Sequence, residues 1–86
     1  MSEARTTTDH GEIRSWAEER GGRPSRVRGA GEGGILRIDF GEAEEGLEEI
    51  DWDEFFRIFD ESRLAFLYQD ELGSGGTSRF NKFVER

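Results

Sequence analysis

With 86 residues, no cysteine and a formal charge of −8, the chain predicts one small domain with a thin core that neither disulfides nor thiolate zinc sites can staple. The acid excess argues against general nucleic-acid binding, because affinity for a polyanion is carried by positive charge. No run approaches the roughly 20 apolar residues that span a bilayer, and the first nine residues lack a signal-peptide core, so the expected compartment is the cytoplasm.

Residues 1–8 show no apolar period and are expected to form a mobile tail, leaving 9–86 as a single domain. A helix is predicted over about 10–20. Asp9 and Glu12 form a capping box, Ile13, Trp16 and Ala17 make one apolar stripe, and Gly21-Gly22 supplies a left-handed stop before Pro24. Residues 25–28 read as a short polar strand, hence an edge. Residues 35–40 alternate, with Leu36, Ile38 and Phe40 on one face and Ile35, Arg37 and Asp39 on the other. The glycine-rich stretch from Gly29 to Gly34 is expected to join the two as a loose hairpin, and Gly41 to Gly46 as an acidic loop.

A second helix is predicted from the N-cap Asp51, with Glu54 completing its box and Ile50 placed to staple Phe55. Trp52, Phe55, Phe56 and Phe59 recur at helical spacing as an aromatic face for the core, and the helix should end near Asp60–Ser62. Residues 64–69 are apolar on both faces, which suits an interior strand. A glycine- and serine-rich loop follows, then 79–86, where Phe80 with Phe83 or Val84 suits a helical turn while Phe80, Lys82 and Val84 alternate as in a strand; the strand is the preferred of the two readings. The order α-β-β-α-β-(β) predicts an α+β fold: a two-layer sandwich with one small, mostly antiparallel sheet of three or four strands and both helices on one face.

Charge is unevenly placed along the chain. The first forty residues balance, so the whole −8 falls in the remainder. A base-only run (Arg20, Arg23, Arg26, Arg28) precedes an acid-only run from Glu42 to Glu54, which predicts an electrically bipolar molecule. The alternative is that these arginines are counter-ions to the acids across the fold. Lys82 is the lone lysine beside eleven arginines, a balance that fits a GC-rich genome and adaptation to salt.

The motifs that carry chemistry fail on context. Gly29, Gly31 and Gly34 match a phosphate-cradling pattern, but that chemistry needs a following helix and a strand is predicted instead. His10, the only histidine, lies in a helix's first turn beside the capping Asp9, which suits a surface residue better than a catalytic base. A calcium loop starting at Asp51 would place Phe55 and Phe56 at its fifth and sixth positions, where oxygen and glycine are required. Trp16, Trp52 and Tyr68 could make a platform, yet in so thin a domain large aromatics belong to the core.

The segments from Thr7 to Glu18, Gly21-Gly22-Arg23-Pro24, Leu36-Arg37-Ile38-Asp39-Phe40, Trp52-Asp53-Glu54-Phe55-Phe56, Phe59-Asp60-Glu61, Leu64 to Gln69 and Arg79 to Phe83 together resemble a family of small, uncharacterised bacterial proteins. The resemblance covers nearly the whole chain past the tail and implies a single domain. Some members of that family carry a glucan-branching-enzyme label, but a glycosyl-transferring barrel takes about 250 residues.

The expected function is a non-enzymatic protein–protein binding or regulatory module, with no cofactor or metal. Candidate contact residues are Arg20, Arg23, Arg26, Arg28, Glu44, Glu45, Glu48, Glu49 and Asp53, together with the strand at 25–28 as an edge for another chain's strand. One alternative is an accessory protein that touches nucleic acid through the Arg20–Arg28 run. Another is a small enzyme or carbohydrate-associated protein working with carboxylates alone. A deep pocket holding a carboxyl of raised pKa would be its sign.

Overall fold

Two Asp-x-x-Glu boxes open the two helices of the computed structural model, which describes residues 4–29, 35–41, 46–70 and 76–86. Helix α1 spans His10–Glu19 and α2 spans Trp52–Glu61. The carboxylates of Asp9 and Asp51 accept the N–H groups of Glu12 and Glu54 at 2.9 and 2.7 Å, satisfying one otherwise orphaned donor in each first turn. The return half of the α1 box is taken over by a neighbour. Thr7 Oγ1 accepts the Asp9 N–H at 3.0 Å, and the Glu12 carboxylate turns to the Tyr68 hydroxyl.

The exits differ. α1 leaves through Gly21 at φ 70, with the Gly21 N–H bonded to Glu18 O and the Gly22 N–H to Ala17 O. That double closure satisfies two of the last carbonyls, and glycine adopts the left-handed turn without strain. α2 leaves through Arg63 at φ 52, a left-handed conformation that is costly for a residue with a Cβ.

Six strands accompany the helices: β1 Arg5–Thr7, β2 Arg23–Val27, β3 Leu36–Asp39, β4 Leu47–Glu49, β5 Leu64–Tyr68 and β6 Asn81–Glu85. All pairings are antiparallel, and they divide into two three-stranded sheets, ordered β1-β5-β6 and β3-β2-β4. The fold is therefore α+β, as the element pattern predicts, with the strands shared between two sheets instead of one. α2 packs against β2 and β3 of one sheet and β5 of the other, and so bridges them.

Two expectations are corrected. Residues 5–7, read as part of a mobile tail, pair as β1 with Phe66, Leu67 and Tyr68. A three-residue strand of this kind is held by its backbone groups and needs no apolar period. Residues 25–28, read as an edge, belong largely to β2, the middle strand of its sheet. Their polarity misleads because the charges are matched on the neighbouring strand: Arg26 lies opposite Glu48 in β4. Pro24 is tolerated in a middle strand because its C=O, and hence its missing N–H, points to the β4 side. There it meets only Ile50 at the ladder's end, whose N–H it accepts at 3.0 Å.

Between the layers lies one cluster built from both helices, β3 and β5. Ile13, Phe55, Phe59 and Phe66 are fully buried, with Trp16, Leu36, Ile38, Ile58 and Tyr68 nearly so. Full burial of each large apolar side chain contributes about 1.5–3 kcal/mol. The buried stripe of α2 is Phe55, Ile58 and Phe59, whereas Trp52 and Phe56 are only half-buried. Ile58 thus replaces two of the four aromatics expected inside. Trp52 stacks on Phe56 and Phe56 on the His10 ring, at 5.4 and 4.1 Å between centroids. This short stack closes the seam between α1 and α2.

Candidate interaction surface

The arginines of the base-only run fall to three different fates. Arg20 is the C-cap of α1, and its side chain is 4% exposed. Its guanidinium donates to the carbonyls of Ser78, Trp16 (2.9 Å) and Asp70 (2.6 Å), and it lies 4.3 Å over the Trp16 ring. A planar fork of five donors suits such a set of backbone acceptors. Arg20 is therefore a clamp between α1 and the chain on either side of 71–77, and is corrected from contact residue to internal tie. Trp16 is fixed beside it, its Nε1–H donating to Gln69 O at 3.0 Å.

Arg23 and Arg26 face the acid run. Arg23 pairs with Glu49 at 3.3 Å and Arg26 with Glu48 at 3.0 Å across the β2–β4 ladder. Here two arginines of one run meet two glutamates of the other, as the counter-ion reading expects. Arg28 and Asp53 are exposed. Glu44 and Glu45 lie outside the described residues, as does most of the Gly29–Gly34 stretch. The strand that follows this stretch pairs antiparallel with the strand before it, as a hairpin does.

Two further polar clusters stand at the helix ends. Asp60, near the end of α2, takes His10 Nε2 at 2.9 Å and Arg86 Nη2 at 2.7 Å. The hydrogen bond from His10, and then Arg86, hold its carboxyl below the usual aspartate range. Tyr68 is pushed up to about 12, first by burial and then by its bond to Glu12. On the outer face of α2, Arg57 bridges Glu54 and Glu61, which lowers the Glu54 carboxyl and raises the guanidinium. These groups are matched to each other, as ion-paired surfaces are. Among the described residues no three His, Asp or Glu side chains gather to hold a metal, and no helix is long and apolar enough to cross a membrane.

A groove of about 510 Å³ opens between the two sheets, along β3 on one side and β6 on the other. Each of these is an outer strand of its sheet. The ladder phase fixes which backbone groups face the groove. Val27 N–H bonds Ile35 O at 2.8 Å, so Ile35, Arg37 and Asp39 bond inward to β2, leaving the N–H and C=O of Leu36 and Ile38 directed away from it. Likewise Gln69 N–H bonds Phe80 O and Arg86 N–H bonds Arg63 O, so Asn81, Phe83 and Glu85 direct theirs away from β5. No other strand pairs there among the described residues. Sequence reasoning missed this feature because it lies between strands far apart in the chain. The alternation of 35–40 supplies half of it, but nothing local places Asn81–Phe83 opposite.

Comparison with known proteins adds no family to this geometry: no family model, curated protein or solved structure matches the chain.

Proposed function

We propose that the protein is a non-catalytic binding module, acting in the cytoplasm, that captures an extended segment of a protein partner by strand addition. The observation that supports this reading is the pair of free sheet edges lining one groove. A strand laid there finds hydrogen-bond partners in a row, and such backbone pairing supplies affinity without demanding a particular sequence. The two sheets have few strands, and an added one extends either of them without disturbing the core. The arginine run gives nucleic-acid contact little support, since Arg20 is buried and Arg23 and Arg26 face glutamates.

The test is an amide chemical-shift titration with a neutral extended peptide of about six alternating Val and Thr residues, the length of an ordinary strand. The expected response is movement and slowed exchange at the amides of Leu36, Ile38, Asn81 and Phe83. Perturbation confined to β1, β4 or the outer face of α2 would sink this reading.

A further inference from the structure

The groove's side chains say what kind of strand suits it. Leu36 and Ile38 of β3 are buried towards the core, and Phe83 of β6 packs on Phe55, Phe59 and Phe66. The intervening residues point the other way. Ile35, just before β3, Arg37 in β3 and Lys82 in β6 are exposed. Arg37 and Lys82 are the charged residues of the groove lining, and both are cations. In a chain of net charge −8, that is a local reversal of sign.

Neither cation is spent on the fold. Among the described residues neither forms an ion pair. Arg37 donates only a long 3.4 Å bond to Leu36 O, next to it in the strand. This contrasts with Arg20, Arg23, Arg26, Arg57 and Arg86, each of which has an acceptor elsewhere in the molecule.

Resting on the strand-addition reading, we infer that the partner segment is acidic, with apolar and carboxylate side chains in alternation. Side chains of a strand alternate between faces. A segment lying in the groove therefore turns one set inward, towards Leu36, Ile38 and Phe83, and the other outward, beside Arg37 and Lys82. Apolar residues suit the first set. Aspartate or glutamate suits the second, where two unpaired cations await counter-charge. A basic segment meets like charge at Arg37 and Lys82, and a neutral one leaves both cations unmatched. The other two outer strands fit less well: β4 is itself acidic, and β1 is only three residues long.

The experiment compares three amidated peptides of equal length, alternating Val with Glu, Thr or Lys, by titration at low and high salt. The acidic peptide is expected to bind about fivefold more tightly than the neutral one at low salt, as two exposed ion pairs allow, and the basic one more weakly still. The advantage should shrink as salt is raised. In an Arg37→Gln/Lys82→Gln variant, whose changes are on the surface, the neutral peptide should bind as before and the acidic advantage should disappear. Equal binding of acidic and neutral peptides, or an advantage that survives in the variant, overturns the acidic preference while leaving strand addition standing. Binding by none of the three overturns strand addition and the preference with it. Concentration-dependent self-association that protects the same four amides and excludes the peptides would assign the groove to a second copy and overturn the inference.

Discussion

The two helices begin alike and end differently. Each opens with an aspartate cap three residues before a glutamate, and each has ten residues. At its C-terminus, α1 turns through glycine and is gripped from inside by Arg20, whose side chain is almost wholly buried. α2 turns through Arg63 in a left-handed conformation and is held from outside by Arg86. The Arg86 guanidinium bonds Leu64 O and Asp60 and lies over the Phe59 ring, 39% exposed. Both arginines tie a helix end to a later strand or its flanking chain. The difference is solvent. A buried donor set cannot be replaced by water, whereas an exposed one can.

That contrast is open to direct attack. Replacing Arg20 with Met should cost about 3 kcal/mol in urea unfolding, since the carbonyls of Ser78, Trp16 and Asp70 lose the charged donors of a side chain that is almost wholly buried. Arg20→Lys should recover less than half, because an ammonium lacks the planar fork. A loss no larger than that of Arg86→Gln would erase the distinction between the two ends. Gly22→Ala should cost about 1–3 kcal/mol by thermal or urea unfolding. A Cβ at that position would lie 2.6 Å from Ile38 Cγ2 and 3.1 Å from Ala17 O, in the crowded exit of α1.

The exit of α2 should respond in the opposite sense. Arg63→Gly is expected to stabilise the protein by about 0.5–1 kcal/mol, the relief of left-handed strain less the entropy that glycine adds to the unfolded chain. The matching change Gly21→Ala should destabilise by about 1 kcal/mol on backbone grounds alone, since nothing stands within 4 Å of the added Cβ. The smallest effect belongs to the exposed cluster. Asp60→Asn should cost less than about 1 kcal/mol at neutral pH, as exposed pairs do. Its folded carboxyl titrates below the unfolded value near 3.9. The stability it contributes is therefore present above that value and is lost as pH falls through the folded one. Unfolding curves of wild type and Asp60→Asn should converge in strong acid, and a gap that persists there would show that the cost is not electrostatic.

The sequence makes both helix starts legible, because capping acts between residues three apart and leaves its mark in adjacent letters. The two-sided apolarity of β5 likewise announces a middle strand, and its two neighbours are there. β4 is harder to see: Leu47-Glu48-Glu49 sits in an acid run with one apolar side chain, and becomes a strand only when Arg26 and Arg23 lie beside it. Arg20 reads from sequence as a cation suited to a helix C-terminus. Its acceptors Asp70 and Ser78 come from the far end of the chain, so no local pattern could reveal the clamp. The same holds for the groove, whose cations Arg37 and Lys82 sit in different sheets. Of the candidates chosen by charge runs, Arg20 is an internal tie and Arg23, Arg26, Glu48 and Glu49 pair with one another on the surface, whereas Arg37 and Lys82, both without an ion pair among the described residues, lie outside those runs.

One pairing also orders events in time. The β3-β2-β4 sheet is made from a single continuous stretch of the first two-thirds of the chain, so it can assemble as soon as that stretch leaves the ribosome. The other sheet joins residue 5 to residue 68, and its middle strand arrives long after its first edge. On a growing chain the strand at residues 5–7 must therefore wait without its partner until residues 66–68 have followed it.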